Sequence, residues 1–248
     1  MGYEGCTKIS HAPSYAEFLE EYLIPNMPVI IGPALVTSWP AFSTWTVPSK
    51  SGTDGKEDDP TTREIHWQYL VDRYGHFEVS VADCASVDVD GNQERDTRLF
   101  RDVVSLWQNG EGRTLYVKDW HLPNAVETED PGKAFYTTPD IFRDDWMNAY
   151  YSAYTGDDFR FVYVGASGTF TPLHRDVYTS YSWSTNICGR KRWWLFDPQT
   201  TDVRHLAHVH RPSLLAYDVR HADPVKFPHL ANVKAMVVDQ KAGETIFV

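Results

Sequence analysis

The sequence lacks any long hydrophobic run and has few cysteines. No stretch approaches the ~18 consecutive apolar residues of a membrane-spanning helix. The N-terminus, MGYEGCTKIS, has no apolar core of the kind that secretory signal peptides carry. Cys6, Cys84 and Cys188 are odd in number and far apart, which is not the pattern of a disulfide framework or a CxxC zinc site. We therefore expect an intracellular protein with no membrane partner, in the cytoplasm and as an alternative also in the nucleus.

Positive charge is scarce as well. Lysine and arginine total 23 against 34 aspartates and glutamates, so the net charge is −11 at pH 7. Proteins that bind nucleic acid present clustered basic residues to the phosphate backbone, and this chain has no such excess. We expect no nucleic-acid partner. An acidic surface attracts basic molecules instead, so the expected partner is a basic or lysine-containing protein.

Hydrophobic residues recur at regular spacing, and this spacing changes between helical and strand-like along the sequence. Its 248 residues suit one large domain. Helical spacing predicts helices over 15–23 (after a Ser14–Glu17 capping box), 62–74, 99–108 and 144–154. Apolar or alternating runs predict strands at 28–33, 78–82, 114–118, 161–164, 189–196 and 225–248, and polar composition predicts loops at 49–60 and 123–133. We expect a helical and mixed region, 1–125, that starts a β-barrel completed by 126–248, together forming one compact unit.

The residues with the clearest chemistry lie between 160 and 198. His174 and Asp176 are two residues apart, and on a strand such residues point to the same face. One imidazole and one carboxylate are two of the three ligands of a facial non-haem Fe(II) site. Further along, Lys191 places a cation beside a very apolar strand.

These motifs, taken in order, resemble those of the JmjC family of Fe(II)- and 2-oxoglutarate-dependent oxygenases. The resemblance rests on PVIIGP at 28–33, HRD at 174–176, GRKRW at 189–193 and GETIFV at 243–248. Two further stretches, YVKDWHL at 116–122 and SYSWSTNICGRK at 180–191, are similar to a subgroup that hydroxylates a lysine of the eukaryotic translation release factor.

The resemblance implies a mostly β fold with N-terminal helices, namely a double-stranded β-helix, which is a jelly-roll or cupin-like barrel with the metal near one open end. It implies that His174 and Asp176 bind Fe(II). It also implies that Lys191 pairs with the distal carboxylate of 2-oxoglutarate, that the Thr171 hydroxyl hydrogen-bonds the same carboxylate, and that Tyr116 contacts this co-substrate. O2 is then the second co-substrate.

Plainer interpretations of the same residues stay open. His174 and Asp176 could form a surface pair, and Lys191 could be a solvated charge at a strand end. Thr171, next to a proline, could close a turn, and Tyr116 could belong to the core.

The third ligand of the family's facial triad is a second histidine, which normally lies shortly after the GETIFV element. The histidines of the second half all precede that element, so we expect the third ligand beyond Val248 and a barrel incomplete at its C-terminus. The chain as given should then bind iron weakly, turn over little and fold marginally. The run HLAHVHRP contains His205, His208 and His210, and we interpret it as a surface turn, with a metal site as the minor alternative.

The leading functional hypothesis is a hydroxylase of a protein side chain, most simply a lysine of a substrate similar to the release factor. A histone lysine demethylase is the nearest rival, because it uses the same iron and co-substrate. We rank it lower, since the chain has no zinc cluster or reader module and no strongly basic character. A non-catalytic cupin-like binding module that has lost the third ligand is the alternative from another class.

Overall fold

The computed structural model describes residues 5–49, 63–199 and 201–248. Strands occur along the whole of the described chain: β1 (Thr7–Ile9), β2 (Val29–Ile31), β3 (Thr46–Pro48), β4 (Arg63–Ile65), β5 (Glu78–Val87), β6 (Gln93–Leu99), β7 (Leu115–Trp120), β8 (Val162–Gly165), β9 (Trp183–Thr185), β10 (Arg190–Leu195), β11 (Ala207–His208), β12 (Arg211–Leu215), β13 (Met236–Lys241) and β14 (Thr245–Phe247).

The helices are short. They are α1 (Tyr15–Phe18), α2 (Pro40–Thr44), α3 (Trp67–Tyr74), α4 (Phe100–Asn109), α5 (Leu122–Glu129) and α6 (Ser152–Thr155). A π-helical turn, Leu19–Leu23, extends α1, and another, Met147–Tyr151, precedes α6. Five 3-10 turns complete the helical residues of the described ranges: Pro33–Leu35, Asp140–Phe142, Val177–Thr179, Val203–Leu206 and Leu230–Asn232. None of the described helices is long and apolar enough to cross a membrane.

Two four-stranded sheets organise the described strands. One has the order β1-β2-β14-β9 and the other β6-β5-β7-β8, and β3-β4, β10-β13 and β11-β12 form pairs. All these pairings are antiparallel except β1 with β2. The mostly β architecture with short helices agrees with the predicted jelly-roll class, although the described strands form separate sheets and no closed barrel. The proposed division at residue 125 stays a prediction.

The largest hydrophobic core lies between the β5-β7-β8 sheet and helices α3 and α4. Phe100 and Val117 are fully buried there, and Trp120 packs against Phe100 with 4.7 Å between ring centroids. Burying a side chain such as Phe100 contributes about 1.5–3 kcal/mol. Because neighbouring residues of a strand point to opposite faces, Val117 enters this core while Tyr116 and Lys118 are left on the other face of β7.

The N-terminal capping box is present as predicted. The Ser14 hydroxyl accepts from the Glu17 backbone N–H at 3.2 Å, and the Glu17 carboxylate accepts from the Ser14 backbone N–H at 3.4 Å. Phe18 then faces a second core, where its ring contacts Phe142 and Phe247. This core joins the N-terminal helix to β14, so the two ends of the chain pack together.

Two sequence predictions about helices were wrong. The helix predicted over 62–74 begins only at Trp67, because residues 63–65 pair with β3 as strand β4. The loop predicted over 123–133 is largely helix α5, which starts with a proline in its first turn and buries Leu122 and Val126. The loop predicted over 49–60 lies outside the described residues except for Ser49.

The helix predicted over 144–154 is present as the π-helical turn and α6. Trp146, Tyr150 and Tyr154 share its outer side and are 72%, 56% and 75% exposed. Adjacent rings of this row lie 6.4 and 4.8 Å apart. The aromatic side of this helix therefore faces solvent. The chain then enters β8 and the segment that carries the candidate site.

Candidate active site

His174 and Asp176 converge although they are not on a strand. They lie in an irregular segment between β8 and the 3-10 turn Val177–Thr179, which corrects the predicted strand. The His174 Nε2 and the Asp176 Oδ1 are 3.3 Å apart. The Asp176 backbone is extended, at φ −63° and ψ 152°, in a stretch that pairs with no strand of the described sheets.

The hydrogen bonds around this pair orient both side chains. A backbone carbonyl can only accept, so His174 Nδ1–H donates to the Pro172 oxygen at 2.9 Å and leaves Nε2 facing Asp176. The Ser182 hydroxyl lies close enough to Asp176 to help lower the pKa of its carboxyl group, after the larger effect of His174. The Asp176 carboxylate raises the pKa of His174, burial and nearby Lys118 oppose that rise, and the histidine in turn lowers the pKa of Asp176.

The donor set suits a divalent iron. Adjacent ligands that each lie about 2.1 Å from a metal are separated by about 3 Å at a right angle, which is close to the separation seen here. Imidazole and carboxylate are ligands of the facial triad of non-haem Fe(II) enzymes. The side chains of His174 and Asp176 are 55% and 37% exposed, so one side of the pair is open to further ligands.

Tyr116 and Thr171, which are far apart in the sequence, are brought together. Burial raises the pKa of the Tyr116 phenol, and the Thr171 hydroxyl lies close enough to that phenol to oppose the rise. Gly165 on β8 pairs with Tyr116 on β7. A Cβ on Gly165 would come within 2.6 Å of the Tyr116 ring and 2.4 Å of the Thr169 hydroxyl. Glycine at 165 therefore lets the tyrosine ring lie flat across the strand.

Within the described structure, the Lys191 ammonium forms no ion pair with a carboxylate. Its ammonium lies 5.5 Å from the centroid of the Tyr163 ring and 5.9 Å from that of Trp193. Burial alone lowers the pKa of Lys191 to about 8. A buried ammonium among aromatic rings is a site for an anionic group, because an anion would restore the stability of the charged form.

Tyr163 lies beside these groups, and it was not among the site residues predicted from the sequence. Its ring lies 6.1 Å from that of Tyr116, its hydroxyl donates to Asp119 at 2.8 Å, and the Asp176 charge contributes to raising its pKa. Tyr163 therefore stands between the predicted co-substrate residues and the metal pair. The signal available was alternation in 161–164, which puts Phe161 and Tyr163 on one face.

Lys118 is the second site residue that the sequence analysis missed. It is only 5% exposed, donates to the Gln93 side chain at 3.2 Å, and has its pKa lowered by burial. A lysine inside the apolar run 114–118, on the same face as Tyr116, was a signal for a buried cation.

The remaining histidines form no metal centre with three ligands in the described ranges. No group of three His, Cys, Asp or Glu side chains that could hold a metal occurs there. His205 stacks loosely with His229, with 5.6 Å between ring centroids, and His208 with His210 at 6.2 Å. The HLAHVHRP run forms a 3-10 turn and the β11-β12 hairpin.

Comparison with known proteins places the chain in a family. The sequence profile of the cupin-like domain matches residues 15–248, almost the whole chain. The chain belongs to the cupin-like domain family. Cupin-like domains are β-barrels of the jelly-roll type, so the predicted fold class is confirmed.

Curated relatives of this cupin-like chain define its branch. It is 34% identical over 246 residues to the 2-oxoglutarate and iron-dependent oxygenase JMJD4 of Gallus gallus, covering 95% of this chain and 53% of that protein. It is 34% identical to the arginine-specific demethylase JMJ20 of Arabidopsis thaliana, covering 95% and 50%, and 32% identical to JmjC domain-containing protein 1 of Schizosaccharomyces pombe, covering 94% and 62%. The resemblance to JmjC oxygenases is therefore confirmed. The chain spans about half the length of the curated relatives it matches.

Proposed function

We propose that this cupin-like protein is an Fe(II)- and 2-oxoglutarate-dependent oxygenase that hydroxylates a carbon of a protein side chain. The observation that carries the proposal is the convergence of His174 Nε2 and Asp176 Oδ1 at 3.3 Å, with Tyr163 linking this pair to the buried Lys191 ammonium. A metal pair and a carboxylate anchor are the two fixed points that a metal-chelating keto diacid requires. The names of the JMJD4 relatives support the same cofactor and co-substrate.

Each residue has a defined part in this proposal. His174 and Asp176 hold the iron, and Ser182 and the Pro172 carbonyl keep them oriented. Lys191 holds the distal carboxylate of 2-oxoglutarate as a point charge. Iron, 2-oxoglutarate and O2 supply the oxidising chemistry, and the protein supplies position and electrostatics.

Tyr116 and Thr171 complete the co-substrate site in this proposal. The two hydroxyls lie close together, so a single carboxylate can reach both of them. The high pKa of Tyr116 keeps the phenol protonated, so it donates a hydrogen bond to a carboxylate instead of repelling it.

Lysine is the substrate side chain that we propose first, with a release-factor-like protein as the substrate and the cytoplasm as the location. The net charge of −11 favours a basic protein. Demethylation is the second candidate, because one relative is named an arginine-specific demethylase. Both reactions begin with hydroxylation of a carbon, and they differ in whether that carbon leaves the substrate.

Mass spectrometry distinguishes these outcomes. The purified chain would be incubated with Fe(II), 2-oxoglutarate, O2 and two peptide sets, one containing unmodified lysine and the other containing methylated lysine and arginine. A gain of about 16 Da on lysine peptides supports hydroxylation, and a loss of about 14 Da from methylated peptides supports demethylation. The Lys191→Met variant is the matched control, because it retains both metal-binding side chains.

A non-catalytic binding module makes a different prediction. It would bind a protein partner without consuming 2-oxoglutarate. If a titration with Mn(II), a redox-stable substitute for Fe(II), shows no difference between the unsubstituted chain and the His174→Ala variant, the proposed metal site is wrong and the binding module becomes the better description.

A further inference from the structure

A cavity next to the metal pair has the chemistry of a receptor for a cation. Its volume is about 470 Å³, and its walls include Phe159, Phe161, Tyr178, His121 and Asp157. Val177 also lines it and directly follows Asp176, so the wall of the cavity begins one residue from the metal pair. Neighbouring Cα atoms are about 3.8 Å apart, which makes the cavity and the metal pair parts of one surface.

Aromatic rings form the sides of this cavity. Phe159 and Tyr178 meet edge to face with 6.3 Å between ring centroids, and Phe161 meets the His121 ring at 4.9 Å. Tyr151 supports Tyr178 from behind through a hydroxyl contact of 2.9 Å. Faces of aromatic rings attract cations, because the π-electrons give each face a partial negative charge.

The backbone at Tyr178 is held in a strained conformation. Tyr178 and the following Thr179 both have positive φ, at 57° and 54°, in the left-handed region that side chains other than glycine avoid. This conformation turns the Tyr178 ring towards Tyr151 and the cavity. Such strain persists where the surrounding structure or a function requires a particular side-chain position.

The charges around the cavity leave a negative excess. Asp158 is paired with Arg160 at 2.6 Å and with His121 at 3.3 Å, and Arg160 also binds Glu127 at 2.7 Å. Asp157 is exposed, and none of the ion pairs found in the described residues includes it. Arg160 is therefore shared by two carboxylates, Asp158 and Glu127, and the exposed Asp157 carboxylate adds a further negative charge that remains open at the cavity.

We propose that this cavity, which we call the aromatic-acidic pocket, binds a lysine or arginine side chain of the protein substrate, close in sequence to the residue that reaches the metal pair. The statement that the ligand belongs to a protein substrate rests on the proposed oxygenase function. The affinity of the pocket for a basic side chain does not depend on that function. An extended peptide advances about 3.3 Å per residue, so a basic residue a few positions from the reacting side chain reaches the pocket.

Two short peptides test the pocket. One is acetyl-Gly-Gly-Lys-Gly-Gly-amide, and the other carries norleucine, an uncharged analogue of similar length, in place of lysine. They would be titrated into the chain labelled with 13C in phenylalanine and tyrosine rings. We expect the lysine peptide to shift the ring signals of Phe159, Phe161 and Tyr178, and to bind at least about threefold more tightly than the norleucine peptide.

Three variants and a control refine the test. Asp157→Asn removes the open carboxylate, and Phe161→Leu removes an aromatic face but keeps an apolar side chain; each should bring the ratio of the two affinities towards one. Phe161→Tyr keeps the aromatic face and should keep the ratio. Asp90→Asn removes the same charge in the turn between β5 and β6, outside the pocket, and should leave the ratio unchanged.

The proposed role of the pocket is refuted if the unsubstituted chain binds the two peptides with equal affinity. It is also refuted if both Asp157→Asn and Phe161→Leu still prefer the lysine peptide. A separate titration with Mn(II) and 2-oxoglutarate tests the proposed function on its own. If the chain does not bind 2-oxoglutarate in that titration, the proposed oxygenase function is refuted but the result with the peptides is unaffected. The two failures are therefore distinguishable.

Discussion

Replacing Lys191 with methionine separates the energetic cost of burying the ammonium from its benefit in binding. Methionine has a similar length and no charge. Lys191 pairs with Gln240 across β10 and β13, and burial is the cause of its lowered pKa. Without co-substrate, the charged lysine should therefore destabilise the folded chain. The same charge should be required for tight binding of the co-substrate.

The magnitude follows from the pKa. A fall from 10.5 to about 8 is worth about 3.4 kcal/mol, at about 1.36 kcal/mol per pKa unit. The aromatic faces of Tyr163 and Trp193, 5.5 and 5.9 Å from the ammonium, stabilise the charged form in return, by about 1 kcal/mol. We expect Lys191→Met to raise the free energy of unfolding by about 2 kcal/mol at pH 7.

The pH dependence has a defined sign. The pKa in the folded state, about 8, lies below the ordinary value of 10.5. At pH values below 8 the lysine is charged in both the folded and the unfolded states, and the full penalty applies. Above 10.5 it is neutral in both states, and the penalty is gone. The stability advantage of Lys191→Met should therefore shrink as pH rises from 8 to 10.5.

Urea unfolding followed by tryptophan fluorescence at pH 7 and pH 10 measures these changes. Lys234→Met, an equal substitution at an exposed position, is the control and should change stability by less than about 0.5 kcal/mol. Calorimetric titration with 2-oxoglutarate should show at least about tenfold weaker binding to Lys191→Met. The reasoning is refuted if Lys191→Met is less stable than the unsubstituted chain at pH 7, or if its advantage is equal at both pH values.

Three further predictions test the neighbouring residues. Gly165→Ala places a methyl group within 2.6 Å of the Tyr116 ring, so urea unfolding should show a loss of about 1–3 kcal/mol; unchanged stability would exclude this steric role. Asp176→Ala removes one of two converging donors, so Mn(II) titration should show at least about tenfold lower affinity, and an unaltered affinity would exclude Asp176 as a ligand. For the unsubstituted chain, 2-oxoglutarate affinity should fall as pH rises through the Lys191 pKa of about 8, because the neutral amine no longer attracts the dianion; a rise above that pH would contradict the assignment.

Much of the candidate site could be predicted because its residues are close in the sequence. His174 and Asp176 are two residues apart, and their side chains meet although the segment pairs with no strand of the described sheets. Lys191 lies between Arg190 and Arg192, and only its place after Gly189 in the family motif, beside an apolar strand, singled it out. The roles of Thr171 and Tyr116 came from the family resemblance, and neither residue indicated the other by its position in the chain.

The missed features depend on contacts between distant segments. Lys118 and Tyr163 enter the site because β7 and β8 pair with Tyr116 opposite Gly165 and Val117 opposite Val164, and a slip of one residue would turn the side chains of the slipped strand to the opposite face. The residues after Leu122 resembled a loop by composition, yet they form α5 because Leu122 and Val126 find a core to pack against. Tertiary packing can outweigh local propensity when it buries apolar side chains.

The amino-acid sequence by itself predicted the convergence of His174 and Asp176, the capping box and the mostly β class, since each depends on residues within a few positions of one another. Only the tertiary structure decided which cations and phenols surround that pair, and it alone formed the aromatic-acidic pocket. The physical reason is that the geometry of neighbouring residues follows from local dihedral angles, whereas strand register and burial follow from the packing of the whole chain.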